Sequence, residues 1–219
     1  MVKALYDTPV ASPVVVLDGN TGSAKTEVLN RLPERGVQVI DLEGLANHRG
    51  SLFGAMGDQP SQKAFEGRLA LALARLDPTR PVVVEAESAK VGNCRLPPRL
   101  WRAMVEAPRI TLEVGRAARA AYLTCAYADL TQDADRLDGI VASLRPLHAA
   151  EVIADWRAMA ASGQFTLLAD SLMERHYDPR YDKHRARMAP PSATIAAEAL
   201  GPGDLDALAD QVAAAVKAL

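Results

Sequence analysis

The chain has 219 residues, of which 49% are hydrophobic and 24% are charged, enough apolar sequence for one globular domain with a buried core. The formal net charge of -2 excludes a generally basic surface, so any nucleic acid must be bound by a local patch. Two cysteines, Cys94 and Cys125, exclude a disulfide framework and a cysteine zinc site. The sequence contains no candidate secretion signal or membrane span, which predicts a cytoplasmic protein without membrane contact.

Short β-branched segments alternate with helical patterns along the chain. Strands are expected at 13–19, 37–44, 81–88 and 109–114, with a weaker candidate at 165–170. Helical patterns cover 25–34, 61–76, 97–107, 116–130 and 135–161. This alternation predicts an α/β fold with a mostly parallel sheet and helices on both faces. We expect residues 1–190 to form this domain and residues 191–219 an alanine-rich helical C-terminal tail.

A glycine-rich turn follows the first predicted strand. Its eight residues match the phosphate-binding pattern G-x-x-x-x-G-K-[ST] except at the second glycine, and they are Gly19, Asn20, Thr21, Gly22, Ser23, Ala24, Lys25 and Thr26. A strand before the turn and a helical pattern after it direct backbone N–H groups at one anion. We predict a P-loop, and hence a P-loop NTPase-like fold, in which Lys25 reaches the outer phosphates. A tight corner with a solvated Lys25 is the alternative.

The alanine at position 24 is a departure from the pattern. Its methyl group disfavours a positive φ, so either the backbone stays in a region that alanine tolerates or the phosphate is held less firmly.

Acidic residues follow the third predicted strand. Glu85 ends an apolar segment, where a carboxylate can hold Mg²⁺ or orient a water molecule. Glu87 is the weaker candidate, because a solvated strand end or a pairing with Lys90 or Arg95 explains it equally well. We therefore predict Lys25 and Glu85 as catalytic residues, and Thr26 and Glu85 as ligands of Mg²⁺.

Two polar segments are candidates for binding RNA, although each is also explained as a solvated surface segment. The first is a long loop after the second strand, and its candidate residues are Asp41, Glu43, Asn47, His48, Arg49, Gln59 and Gln62. The second is the cationic segment 173–188, whose cations include Arg187 and whose candidate residues are Arg175, Tyr177, Arg180 and Tyr181. Cations that contact the backbone and rings that stack on bases suit RNA.

Taken in order, LDGNTGSAKTEVL, VIDLEGLANHRGSLFG, QPSQKAFEGRL, VVVEAESAKVGNCRLPPRLWRAM, ITLEV and HYDPRYDKH resemble the tRNA 2-selenouridine synthase family over about residues 13 to 188. The resemblance implies a P-loop domain that follows a rhodanese domain. It also implies action on wobble 2-thiouridine of tRNA, first by S-geranylation with geranyl diphosphate and then by selenation with selenophosphate. The rhodanese part and its reactive cysteine are missing from this sequence. We therefore expect a separate rhodanese-domain subunit or an excised fragment.

On this basis the phosphate loop is expected to bind the diphosphate of geranyl diphosphate, while the two polar segments hold the tRNA anticodon stem-loop. One alternative is a P-loop kinase that phosphorylates a small molecule with ATP or GTP. The other is a non-catalytic tRNA-binding module. An apolar pocket beside the phosphate loop would favour the geranyl donor, because a kinase acceptor site is mainly polar.

Overall fold

The computed structural model describes residues 2–185 and 189–219, without the side chains of Ala4 and His184. A parallel five-stranded sheet has the order β2-β3-β1-β6-β7, and a small antiparallel hairpin is formed by β4 and β5. The strands are β1 (Val14–Gly19), β2 (Gln38–Ile40), β3 (Val82–Glu85), β4 (Lys90–Val91), β5 (Cys94–Arg95), β6 (Arg109–Val114) and β7 (Ala193–Ala197). The predicted α/β class with a mostly parallel sheet is confirmed.

The helices connect these strands and cover them. The first six are α1 (Ala4–Asp7), α2 (Lys25–Arg31), α3 (Leu42–Ala46), α4 (Gln62–Ala74), α5 (Pro98–Glu106) and α6 (Arg116–Ala126). The others are α7 (Ala128–Thr131), α8 (Ala134–Ala142), α9 (Ala150–Ala161), α10 (Phe165–Leu172), α11 (Asp178–Arg185) and α12 (Pro202–Ala218). A π-helical turn, Met173–Tyr177, joins α10 to α11, and 3-10 turns lie at Pro33–Arg35 and Arg145–Leu147.

Alternation along β1 divides the core into two layers. Val15 and Leu17 pack with α2 and α12 on one face of the sheet, whereas Val14 and Val16 pack with α3, α4 and α5 on the other. Successive side chains of a strand point to opposite faces, so the run of four apolar residues from Val14 to Leu17 is explained by helices on both sides. The carboxyl end of β1, where the phosphate loop begins, is thereby held at the centre of the sheet.

A third hydrophobic cluster joins helices α7 to α10 beside the sheet, around the fully buried Trp156. The strand expected at 165–170 is wrong, since this segment belongs to α10. Leu168 and Leu172 are four residues apart and both are buried in the cluster. That spacing places them on one face of a helix, and a short apolar segment is ambiguous between helix and strand when only the sequence is considered.

The C-terminal segment contains a strand as well as the expected helix. Ala193–Ala197 pairs in parallel with β6, Ile110 opposite Ala193, so the expectation of helix alone is wrong at these residues. The following helix α12 buries Leu208, Val212 and Val216 against the sheet. Within the described residues, every helix is too short or too polar to traverse a lipid bilayer.

Candidate phosphate site and adjoining surfaces

The loop between β1 and α2 lies at the carboxyl end of the sheet. Gly22 has φ +83° and Ala24 has φ 58° and ψ 30°, so both adopt the left-handed conformation. A side chain at Gly22 would collide with Leu123 of α6, which explains glycine at that position. Ala24 thus follows the backbone path that glycine would take, and its buried methyl group packs in the core.

Ala24→Gly is expected to change the free energy of unfolding by less than about 1 kcal/mol. Relief of left-handed strain, about 1 kcal/mol, is offset by extra chain entropy and a lost buried methyl group, each also about 1 kcal/mol or less. Ala24→Val should be destabilised clearly, because a β-branched residue tolerates this conformation poorly. Urea denaturation of the three proteins checks both expectations. Equal stability of the valine variant would contradict a left-handed residue 24.

The ammonium group of Lys25 has a definite hydrogen-bond partner within the loop. Lys25 Nζ donates a hydrogen bond to the carbonyl oxygen of Gly19 at 2.8 Å, so the half-buried ammonium spans the loop. Burial acts to lower the pKa of Lys25, but Tyr181 and the carboxylates of Glu43, Glu87 and Asp18 outweigh it and raise that pKa. Lys25 is therefore charged at neutral pH, as anion binding requires.

The hydroxyl of Thr26 is connected through Glu43 to a second acidic residue, Glu85. Thr26 Oγ1 donates to Glu43 Oε2 at 2.7 Å, and the backbone N–H of Glu43 donates to Glu85 Oε1 at 2.7 Å. Glu43, expected at an RNA surface, thus lies beside the phosphate loop. Glu85 is fully buried, and its Oε2 has no hydrogen-bond partner among the described residues. Burial, followed by the nearby Asp41, raises the pKa of Glu85 well above its ordinary value.

Glu87, the weaker candidate in the sequence, lies next to Glu43. Burial and the Glu43 carboxylate raise the pKa of Glu87 to about 8, against the opposing charge of Lys25. Carboxylate and hydroxyl oxygens are the donors that Mg²⁺ prefers, so this group of residues fits the predicted metal. Among the described residues no three His, Cys, Asp or Glu form a ready-made cage. Mg²⁺ commonly takes one or two carboxylates and completes its shell with phosphate oxygens and water.

Helix α11 packs directly on the phosphate loop. Asn20 Nδ2 donates to Asp178 Oδ1 at 2.9 Å, and Thr21 Oγ1 lies 3.4 Å from the Tyr181 hydroxyl. The buried Arg119 of α6 joins both, donating to the Thr21 carbonyl oxygen at 3.0 Å and to both oxygens of Asp178 at 2.9 and 2.8 Å. Tyr181, predicted to stack on RNA, is therefore part of the wall of the phosphate site.

The far end of α11 is held by a second ion pair. Arg185 donates to both oxygens of Asp18 at 3.1 Å and also contacts Asn20. Asp18, Arg119, Asp178 and Arg185 were not among the predicted site residues, because nothing local in the sequence links residues that are 59 to 167 positions apart. Arg187 lies outside the described residues.

The Asp18 carboxylate should contribute to stability at neutral pH and lose this contribution in strong acid. Burial would raise its pKa, but Arg185, the Gly19 N–H and Lys25 hold the folded-state pKa below the usual value. Its contribution is therefore complete above about pH 4 and is lost as the pH falls through the folded-state pKa. We expect Asp18→Asn to cost about 1–3 kcal/mol at pH 7. The difference from wild type should shrink in urea titrations near pH 3, and a constant difference would contradict the ion pair.

An apolar cleft opens beside the phosphate loop. It is partly open to solvent and lies between the phosphate loop and the third hydrophobic cluster. Thr21 and Ser51 lie at its polar edge, and its walls include Phe53, Leu123, Tyr127, Leu130, Phe165, Leu168, Ala169, Leu172 and Tyr177. The Tyr177 hydroxyl is buried without a hydrogen-bond partner in the described chain. Tyr177 thus faces the cleft, while Arg175 and Arg180 are exposed and Arg180 donates to the His176 carbonyl oxygen.

Most of the predicted polar loop is braced by its own side chains. Its first part is helix α3, where Asp41 accepts the Gly44 N–H at 2.7 Å. Asn47 Nδ2 donates to the Asp58 carbonyl oxygen, and Gln62 bonds both backbone groups of Arg95. Arg49 pairs with Asp129 at 3.0 Å and lies 4.7 Å from the centre of the Tyr127 ring.

The family described as tRNA 2-selenouridine synthase AAA domain matches residues 12–142. A relative named tRNA 2-selenouridine synthase from Hahella chejuensis is 42% identical over 118 residues, which cover 52% of this chain and 30% of the relative. One of the same name from Alcanivorax borkumensis is 33% identical over 206 residues, which cover 81% of this chain and 56% of the relative. The chain thus spans between 30% and 56% of the length of these relatives. From the matched family and these relatives, we conclude that the chain belongs to the tRNA 2-selenouridine synthase family and contains its AAA domain.

Proposed function

We propose that this chain is the P-loop part of an enzyme that modifies wobble 2-thiouridine in tRNA, and that it transfers a geranyl group from geranyl diphosphate to sulfur. The observation that carries this proposal is the apolar cleft whose polar edge is Thr21 of the phosphate loop. A diphosphate held by the loop would extend its hydrocarbon chain into this cleft. Apolar walls with a few polar groups at one end are typical of sites for amphiphilic ligands.

The loop supplies what the leaving group needs. As sulfur attacks the allylic carbon, the C–S bond forms and the C–O bond breaks, and its electron pair leaves with diphosphate. The N–H proton of the thiouracil ring is released. Lys25 and the backbone N–H groups of residues 19–26 stabilise the growing negative charge on diphosphate more than they stabilise the bound substrate. Mg²⁺, held by Thr26 and Glu85 with the substrate's phosphate oxygens, would supply further positive charge there.

The second reaction that the family implies is the replacement of sulfur by selenium from selenophosphate. We propose that the same loop holds the phosphate of that co-substrate, because both donors present a phosphate group to it. A separate rhodanese-domain subunit is the partner proposed for complete selenation. The tRNA anticodon stem-loop is the proposed substrate, since its unstacked bases can be splayed out and read by a protein.

The apolar cleft favours this reaction over a small-molecule kinase, whose acceptor site would offer polar groups to a hydroxyl or carboxylate substrate. A non-catalytic tRNA-binding module would share the RNA surface without turnover. A kinase would transfer labelled phosphate from ATP or GTP to a metabolite.

Incubation of the purified chain with geranyl diphosphate and an anticodon stem-loop containing 2-thiouridine tests the proposal. Mass spectrometry of the nucleosides should show S-geranyl-2-thiouridine, and a stem-loop containing uridine should stay unmodified. RNA binding without product would support the tRNA-binding module. Phosphoryl transfer without geranylation would support the kinase. Either result would reject geranyl transfer by this chain.

A further inference from the structure

A second depression, a polar groove, lies between residues 48–60 and the hairpin of β4 and β5. It encloses about 1570 Å³ of empty space that is largely open to solvent. Its polar lining includes His48, Ser51, Asp58, Gln59, Lys90 and Asn93. The groove therefore differs in chemistry from the apolar cleft, and the reaction proposed above leaves it without a ligand.

Gln59 fixes the two walls of the groove relative to each other. Its Nε2 donates to the carbonyl oxygens of Ala46 at 2.9 Å and Val91 at 3.3 Å, and its Oε1 accepts the Asn93 N–H at 2.7 Å. Gly92 has φ +57°, and a side chain there would collide with Gln59. Gln59, predicted from the sequence to touch RNA, thus uses its amide to hold the groove in shape. Such bracing reduces the ordering cost of binding.

His48 lines this groove, and one of its two ring nitrogens has no hydrogen-bond partner among the described residues. This nitrogen, Nδ1, is buried. The backbone N–H of His48 donates to the Glu43 carbonyl oxygen at 3.0 Å, so the residue is anchored. Burial lowers the pKa of the imidazole, against the nearby charge of Glu43, and the ring is therefore neutral near pH 7. A neutral imidazole both donates and accepts hydrogen bonds, and a buried polar atom without a partner requires an explanation.

The groove meets the apolar cleft at Ser51, which lines both. The adjacent Gly50 has φ +69°, and a side chain on it would collide with the carboxylates of Glu43 and Glu87 beside the phosphate loop. The apolar cleft, the phosphate loop and the polar groove therefore meet at the turn formed by residues 48–51. A molecule in the groove would approach the polar end of a donor in the cleft.

We propose that this groove binds the unstacked acceptor nucleotide of an RNA, with His48 contacting the hydrogen-bonding edge of its base and Lys90 a neighbouring phosphate. This inference rests on the proposed function, because it takes the nucleotide to be the acceptor of the group held in the cleft. The edge of a pyrimidine carries an N–H group and a carbonyl or thiocarbonyl, and either can form a single hydrogen bond with one nitrogen of a neutral imidazole. The exposed ammonium of Lys90 at the rim suits a phosphate.

A double-mutant cycle between protein and RNA tests the contact of His48 with the base. Affinities of wild type and His48→Ala are measured by fluorescence anisotropy for the thiolated stem-loop and for the same RNA lacking the base at the acceptor position. Loss of the base should weaken binding to wild type about tenfold and change binding to His48→Ala little. His48→Asn, which keeps a hydrogen-bonding side chain, should restore part of the coupling. Additive effects of the two changes would overturn the contact.

Lys90→Ala should weaken binding several-fold and reduce the slope of log affinity against log salt by about 0.7, as expected for one lost contact to a single strand. Lys217→Ala, the same change on exposed α12, is the control and should leave the slope unchanged. An unchanged slope for Lys90→Ala, with a reduced slope for Arg175→Ala or Arg180→Ala, would move the RNA to the 173–188 segment.

Geranyl transfer by the wild-type chain is measured separately from these affinities. Product formation without base coupling at His48 would overturn the groove and keep the proposed function. Base coupling without product would reject geranyl transfer and support the groove as a nucleotide-binding site.

Discussion

Lys25→Ala is expected to lower the rate of geranyl transfer by about 10²–10³-fold at saturating RNA. This is the loss of rate that typically follows the removal of one group that stabilises a developing anion. The ammonium spans the phosphate loop and is held charged by neighbouring carboxylates. The loss should appear in single-turnover rates measured by nucleoside mass spectrometry. Affinity for inorganic diphosphate, measured by calorimetry, should fall as well.

Lys217→Ala provides the matched control, because it removes the same charge from an exposed site on α12. Since Lys25 also bonds Gly19, the thermal unfolding of both variants should be recorded. A Lys25→Ala protein that folds normally and forms product at the wild-type rate would remove the phosphate loop from the mechanism.

Ala169→Phe is expected to raise the KM for geranyl diphosphate by more than about 10-fold, because a misfit of a single methylene in an apolar pocket already costs about 10–200-fold and a phenyl ring is larger. Ala169 is half-buried on α10 and lines the apolar cleft, so a benzyl group there would occupy the space proposed for the hydrocarbon chain. Affinity for inorganic diphosphate should stay unchanged. A five-carbon allylic diphosphate should be affected less than the ten-carbon donor.

Leu167→Phe on the same helix is the control, since Leu167 is 57% exposed. Overpacking at position 169 can itself cost about 1–3 kcal/mol, so both variants need a measured unfolding free energy. If Ala169→Phe were folded and kept the wild-type KM, the hydrocarbon chain would have to lie elsewhere.

Any ligand of the phosphate loop must bind in the presence of helix α11, which is attached to the loop. Asp178 of α11 bonds Asn20, and Arg185 of α11 bonds Asp18. Arg119 of α6 donates a further hydrogen bond to Asp178. Removing one partner of a buried arginine–carboxylate pair strongly destabilises the folded protein, because the other charge is left buried without a partner. The loop and α11 therefore form one packed unit in this structure.

Local patterns were sufficient to predict the central part of the fold and the position of the glycine-rich turn. The apolar segment Val14–Gly19, the glycines after it and the helical pattern from Lys25 each depend on neighbours within a few residues, and all lie where expected. Short segments with weak patterns were predicted less well. Ala193–Ala197 contains three alanines and becomes a strand because β6 offers it an open edge.

The alternation of strands and helices, the loop from Gly19 to Thr26 and the family resemblance can be read from residue type and spacing along the chain. In contrast, the contact of Glu43 with Thr26, the contacts of Asp178 and Arg185 with the phosphate loop, and the place of Ser51 between cleft and groove are known only from the folded chain. These residues are far apart in the sequence. Such contacts form because the sheet brings the ends of its strands and the loops that follow them to one edge. No local sequence pattern predicts which residues of these loops will be in contact.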